Sequence, residues 1–277
     1  MRRLCNGLLL IGLLMQANFI SADIFRYEDE KGNISFSDQS STNATLVKPP
    51  EKTYRYKHQV KRVYDGDTII LKNGDRVRLL GINTPEIESR HRQGEEGGLT
   101  AKQWLKDKLQ HGSVFLEYDV EKKDKYDRSL AHLFSIEGEH LNKELVQAGL
   151  ATLSIIPPNL RYLDELKKAE QSALKHGFGI WSLDSYKPIS IDELSITRKK
   201  SGWQRFLVTA TKVKLTRKYV RLILSDKVDI RIPKVNLALF PDLDSYLNKS
   251  LEIRGWASRT KDRYSILIRH PSAIILL

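Results

Sequence analysis

Apolar and polar residues alternate through three successive short runs, QVKRVY, TIIL and RVRLLGI, separated by a DGD turn and a KNGD turn. Period-two alternation broken by Asp, Asn and Gly marks antiparallel strands joined by tight turns, so this stretch is expected to form a three-stranded meander. The charged, glycine-rich segment ESRHRQGEEGG follows, and the period then changes: Ala101, Trp104, Leu105 and Leu109 recur at helical spacing. VFLEYDV and LAHLF read as two further strands flanking the polar loop EKKDKYDRS. Asn142 is placed to cap a helix running to Ala148, with Gly149 as its terminator. A longer helix over residues 161–176 sets Leu163, Leu166, Ala169 and Ala173 on one face and stops at Gly177. Five strands with helices inserted late predict a small barrel with helices packed against it, over residues 58–183.

The flanks carry their own patterns. Near the N-terminus, IFRYEDEKGNISFSDQS pairs two alternating segments around a Lys-Gly-Asn turn, which predicts a small hairpin domain over residues 23–47. This segment resembles a small domain often found just after the signal peptide of exported bacterial proteins. A polar, Pro-containing link over residues 48–57 follows it. Past Trp181 and Pro188, strand-like alternation returns at residues 206–213, 219–224, 228–232, 251–256 and 264–268. Residues 190–277 are therefore expected to form a second small β domain, similar to an oligonucleotide-binding barrel. The whole chain reads as mainly β with α, an α+β protein.

Composition narrows the partners. The chain has 277 residues and a formal net charge of +12, with 46 Lys and Arg against 34 Asp and Glu, which favours a polyanion over an acidic or neutral partner. Arg205, Lys212, Lys214, Arg217, Lys218 and Arg221 form a basic series in the C-terminal region that is a candidate phosphate contact. Residues 1–22 join Arg2 and Arg3 to an apolar run from Leu8 to Met15 and a small residue at Ala22, the pattern of an export signal. The apolar run is shorter than the ~20 residues a spanning helix needs, so no stable membrane insertion is expected after cleavage. The protein is expected in the periplasm or outside the cell. Its single cysteine, Cys5, lies in the signal, which leaves the mature chain without a thiol for disulfides or metal clusters. P-loops, dinucleotide fingerprints and His/Cys metal spacings are absent from the sequence. Nothing in it points to an obligate protein partner.

The chemistry-bearing residues fall in three short segments: Asp67 in DGDT, Arg78 with Thr84 and Glu86 in RLLGINTPE, and Arg128 in DKYDR. Each alone has an ordinary explanation, as a turn former, an edge cation or a solvated charge. Together they are what phosphodiester hydrolysis requires. Negative charge builds on the non-bridging oxygens as water attacks, and the planar, permanently charged guanidinium of arginine meets it with two donors. A glutamate can take the proton of the water, and Asp or Asn oxygens suit a hard cation.

Read together, VYDGDTIIL, RVRLLGINTPE, DKYDRSLAHLF, LNKELVQAGLA and LKKAEQSALKHGFGIWS resemble the thermonuclease, or staphylococcal nuclease-like, family in order and spacing. The resemblance implies an oligonucleotide-binding barrel with packed helices and Ca2+-dependent cleavage of DNA or RNA with low sequence specificity. It assigns Arg78 and Arg128 to the phosphate and Glu86 to the attacking water. It also assigns Asp67, position 83 and the Thr84 carbonyl to the metal, and Lys125 and Tyr126 to a terminal phosphate. Two departures stand out. Asn83 replaces a second metal-binding aspartate, which removes one ligand charge and is expected to weaken Ca2+ binding. The stretch TLSIIPPNL lacks the tyrosines that stack on the nucleotide in the best-known members. The competing reading is a catalytically inactive nucleic-acid-binding protein on the same fold, although Glu86 and both arginines are retained.

Overall fold

The computed structural model describes residues 24–28, 34–37, 45–47, 54–89, 93–191 and 203–277. The export signal expected over residues 1–22 lies outside them. Residues 1–52 and 53–277 are separate compact units. In the first unit, β1 (Ile24–Glu28) lies between β2 (Ile34–Ser37) and β3 (Thr45–Val47), antiparallel to both.

The second unit begins with a closed five-stranded barrel. β4 (Arg55–Val63), β5 (Thr68–Leu71) and β6 (Arg76–Leu79) form the predicted meander, joined by the DGD and KNGD turns. A short strand, β7 (Gly81–Asn83), leaves the barrel wall. α1 (Gly98–Lys108) follows, then β8 (Ser113–Lys123) and β9 (Ser129–Phe134), which close the barrel in the order β4-β5-β6-β9-β8. Closure comes from the parallel pairing of β6 with β9, Arg78 opposite Leu130. Ile69, Leu71, Val77, Leu79, Leu116 and Leu133 fill its centre.

α2 (Leu141–Gln147) and α3 (Leu163–His176) pack beneath the barrel, with β10 (Thr152–Ser154) between them pairing with β7. Asn142 is not the cap expected from sequence. His140 occupies that position, and Asn142 is buried inside the first turn. Its amide oxygen accepts from the Leu133 N–H at 2.9 Å and its amide N–H donates to the Leu80 carbonyl at 2.9 Å, which ties α2 to β9 and to the end of β6. α3 starts at Leu163 and not at residue 161, because Tyr162 adopts a left-handed backbone (φ 62) that a helix interior cannot contain.

The C-terminal region is one sheet. After a short β11 (Ile189–Ser190) come β12 (Trp203–Thr209), β13 (Lys212–Leu215), β14 (Tyr219–Ile223), β15 (Val228–Pro233), β16 (Ser250–Thr260), β17 (Arg263–Leu267) and β18 (Ile274–Leu276). They run in the order β11-β12-β16-β17-β15-β14-β13, with β18 also paired to β16. Residues 206–213 read as one strand in sequence but divide between β12 and β13. The break is at Ala210, whose carbonyl accepts from the Asn248 N–H at 2.8 Å. Two residues of the basic series are likewise not free for phosphate. Arg205 makes a double hydrogen bond to Glu252 at 2.6 and 2.9 Å, and Arg221 pairs with the buried Asp229 at 2.8 Å.

Barrel and C-terminal sheet are joined by a second, aromatic core. Trp203 of β12 meets Trp181 at 6.1 Å and Tyr186 at 5.7 Å between ring centres. Beside it, Arg254 of β16 reaches Glu170 of α3 at 2.5 Å and Glu252 at 2.6 Å. Burial raises the Glu170 carboxyl above its ordinary range, and Arg254 opposes the rise. Among the described residues, no helix is long and apolar enough to cross a membrane.

A histidine pair at the barrel's edge, His132 buried and His140 half-buried, gives the fold a pH dependence. His132 and His140 meet at 3.2 Å, packed against Phe134 and Tyr162, and burial pushes both down to about 3, with Arg161, Arg55 and Lys143 adding repulsion. A histidine whose folded pKa lies below its unfolded value near 6.5 stabilises fully at higher pH. That stability is lost as pH falls, because only the unfolded chain takes up the proton. Urea denaturation at pH 7.5 and pH 5.5 is expected to show a larger loss in the wild type than in His140→Phe, by about 1 kcal/mol. Equal losses would remove the pair as the source.

Candidate active site

The DGD turn between β4 and β5 positions the first carboxylate. Asp65 folds back so that its side chain accepts from the Asp67 N–H at 3.1 Å, an Asx turn. Asp67 then points inward, 6% exposed, and its two oxygens are both engaged. One accepts from the Thr68 hydroxyl at 3.2 Å, and the other takes the Thr84 N–H at 2.9 Å and the Arg78 guanidinium at 3.0 Å. A single carboxylate therefore joins the DGD turn, β6 and the segment after β7. Gly66 makes this approach possible: a Cβ there would lie 2.6 Å from the Thr84 hydroxyl and 2.7 Å from the Ala101 methyl.

Glu86 is carried by the same segment. Gly81, with φ 77, turns the chain out of β6 so that Asn83 pairs with Thr152 of β10, and Thr84-Pro85 swings back over Asp67. Beyond the proline, the Glu86 backbone is held on both sides: its N–H donates to the Glu95 carboxylate at 3.1 Å and its carbonyl accepts from the Glu95 N–H at 2.7 Å. Gly98 opens α1 against it, where a Cβ would sit 2.6 Å from the Glu86 carbonyl oxygen.

Arg128 arrives from the other side through the parallel β6–β9 pairing, which sets the residue before β9 next to Arg78's strand. Asp124 holds it, accepting from the Arg128 backbone N–H at 3.0 Å and from its guanidinium at 2.7 Å. Burial acts to raise the Asp124 carboxyl, but the hydrogen bonds from Arg128 and Tyr126 outweigh it and keep it below the usual range. Asp124 was not singled out from the sequence, although an acid four residues before an arginine in a loop was a usable signal.

Asp67, Arg78, Asn83, Thr84, Glu86 and Arg128 line one polar hollow of about 310 Å³, together with Tyr64 and Asp65. Lys125 and Tyr126 lie outside it. They line an adjoining cavity of about 420 Å³, into which Arg78 and Arg128 also reach, so the two arginines stand between the two spaces. Lys125 lies 4.8 Å and the Arg128 guanidinium 5.7 Å from the centre of the exposed Tyr126 ring.

Whether the hollow suits a cation turns on its oxygens. Asp67, the Asn83 amide oxygen and the Thr84 carbonyl are hard donors of the kind Ca2+ takes, with water completing the shell. The Asp65 carboxyl is pushed up to about 6 by burial and by the neighbouring Asp67 carboxylate, a repulsion that a cation would relieve. The donor set is nonetheless poor in charge. Among the described residues, no group of three or more His, Cys, Asp or Glu side chains is assembled to hold a metal ion. Arg78 donates to Asn83 Oδ1 at 3.1 Å, and because arginine can only donate, the Asn83 amide N–H must face the Thr84 carbonyl, at 2.9 Å. The amide thus spends a hydrogen bond on one of the oxygens a cation would use.

The staphylococcal nuclease homologue family matches residues 76–183 of the chain. A thermonuclease of Staphylococcus intermedius is 42% identical over 125 residues, covering 44% of this chain and 74% of that protein. A thermonuclease of Staphylococcus hyicus is 35% identical over 155 residues, covering 54% and 89%. The SPbeta prophage-derived endonuclease YokF of Bacillus subtilis is 36% identical over 130 residues, covering 45% and 44%. All three alignments leave a large part of this chain unmatched.

The crowding at Gly66 has a measurable cost. Gly66→Ala is expected to lower the unfolding free energy by about 1–3 kcal/mol, read from urea denaturation, because Thr84 and Ala101 must both give way. An unchanged midpoint would mean that the contact between the DGD turn and Thr84 is loose.

Proposed function

We propose, from the premise that this chain belongs to the staphylococcal nuclease family, that it is an endonuclease hydrolysing phosphodiester bonds of DNA, RNA or both with low sequence specificity. The observation that carries the reading is the meeting of Arg78, Arg128, Glu86 and Asp67 around one hollow, from three segments distant in sequence. A purely binding role would need the cations but not a glutamate whose backbone is fixed on both sides. The export signal read over residues 1–22 puts the enzyme in the periplasm or outside the cell.

In this account a substrate phosphate lies between the Arg78 and Arg128 guanidinium groups, whose donors meet the charge that grows on its non-bridging oxygens. Glu86 takes a proton from the attacking water as the new P–O bond forms, and the opposite P–O bond breaks, its oxygen leaving with a proton from solvent. Asp67 and Asp124 are positioning residues that fix the two arginines before substrate arrives. Lys125 and Tyr126 bind a neighbouring phosphate in the adjoining cavity. Asp67, Asn83 and the Thr84 carbonyl would hold Ca2+, which when bound supplies a fixed positive charge beside the phosphate.

Plasmid DNA and RNA incubated with the purified protein should be degraded in the presence of Ca2+ and spared with chelator. Glu86→Gln should lower the rate about 100-fold or more while substrate binding persists. An equally active Glu86→Gln would remove that residue from the proton transfer. Replacing Asn83 by Asp adds a ligand charge and frees the Thr84 carbonyl, so the Ca2+ concentration giving half-maximal activity should fall. The same concentration in both proteins would show that the side chain is not a ligand.

A further inference from the structure

The cavity beside the active hollow is not built by the barrel alone. It is also lined by Ser154 and Ile156, from the stretch that lacks nucleotide-stacking aromatics, and by Arg269, which lies just past the end of β17 in the C-terminal sheet. β16 and the segment after β17 line a small cavity together with Leu153 and Ile155, and Arg254 of β16 is locked to Glu170 of α3. Arg269 is exposed, and among the described residues no carboxylate lies within ion-pair distance of it.

Arg269 also lines a second hollow, of about 460 Å³, on the C-terminal sheet itself. Three more cations line it, Arg217, Lys218 and Lys234, all exposed, and no acidic residue does. Among the described residues none of the three is ion-paired, in contrast to Arg205 and Arg221 of the same sheet, which carboxylates neutralise. Between the cations lie Tyr219 and Val235, the latter 92% exposed. Unpaired cations interleaved with aromatic and apolar surface are what a single-stranded polynucleotide requires, phosphates against the charges and bases against the flat or apolar faces.

We propose that the C-terminal sheet is a substrate-binding extension of the active site. A single strand held at Arg78 and Arg128 continues past Arg269 and along Arg217, Lys218 and Lys234. Arg269 stands at the junction, in the place where the stretch after Ala151 offers no aromatic side chain. The proposal rests on the nuclease reading for what lies at the catalytic end, but the track itself is a binding surface with its own readout.

The test uses the full chain and the triple variant Arg217→Gln, Lys218→Gln, Lys234→Gln, with Arg269→Gln beside it. Binding of a 20-nucleotide single strand is measured with chelator present, so that no cleavage is needed. Removing three phosphate contacts should reduce the slope of log K against log salt by about 2, at about 0.7 per contact, and Arg269→Gln by about 0.7. In the cleavage assay, the ratio of kcat/KM for the 20-nucleotide strand to that for a trinucleotide should fall about tenfold in the triple variant. An unchanged salt slope overturns the track, whether or not the wild type cleaves. A reduced slope in a protein that cleaves nothing upholds the track and overturns the nuclease reading instead. Equal loss of binding to a 20-base-pair duplex would overturn the single-strand assignment.

Discussion

The Asp67 carboxylate is the constraint on which the site depends. It is almost fully buried, and a buried carboxylate must be compensated by partners or give up its charge. Here it has three, the Thr84 N–H, the Thr68 hydroxyl and the Arg78 guanidinium, drawn from different parts of the chain. Satisfying Asp67 therefore folds the Thr84-Pro85 segment back over the DGD turn, which carries Glu86 to the hollow. It also fixes Arg78 in one orientation, with Asn83 and the Leu79 carbonyl taking further donors. The parallel pairing of β6 with β9 then needs only to deliver Arg128, which Asp124 orients in the same manner. Each arginine is thus set by a carboxylate before any phosphate is present, which is how a site avoids reorganising during the reaction.

A second buried charge network decides where the C-terminal sheet sits. Glu170, Arg254, Glu252 and Arg205 form a continuous chain from α3 into the sheet, flanked by Trp181, Tyr186 and Trp203. Such a chain adds little net stability, since desolvation offsets most of the attraction, but breaking one partner leaves a buried charge uncompensated. Its geometric effect is specific: Glu170 also accepts from the Leu153 N–H at 2.8 Å, so the docking of the sheet and the path of β10 are coupled through one side chain. That coupling brings Arg269 to the cavity beside the polar hollow.

The closed barrel and the residues that meet at the polar hollow are legible in the sequence because both are written locally. Strand alternation with DGD and KNGD turns specifies the meander, and RLLGINTPE and DKYDR carry the residues that line the hollow within short segments. What escaped was set by partners distant in sequence. Asn142 looked like a cap because asparagine is a good one, but the buried ends of Leu133 and Leu80 claimed its amide. Arg205 and Arg221 read as phosphate ligands in a basic run, and only the strand pairing, which sets Glu252 and Asp229 diagonally across on the neighbouring strand, reveals their partners. Arg269, isolated near the C-terminus, has no local signal at all; its significance comes from the docking of one sheet on one strand. Asn83 was visible as a lost charge, whereas its donation to the Thr84 carbonyl required the position of Arg78.

In the proposed reaction Arg78 and Arg128 together receive one phosphate at the hollow shared with Glu86. The most direct measurement is the NMR signal of the arginine side-chain N–H groups during titration with a non-cleavable phosphorothioate dinucleotide. The Arg78 and Arg128 signals should shift together along one saturation curve. Saturation of other arginines with these two unmoved would contradict it.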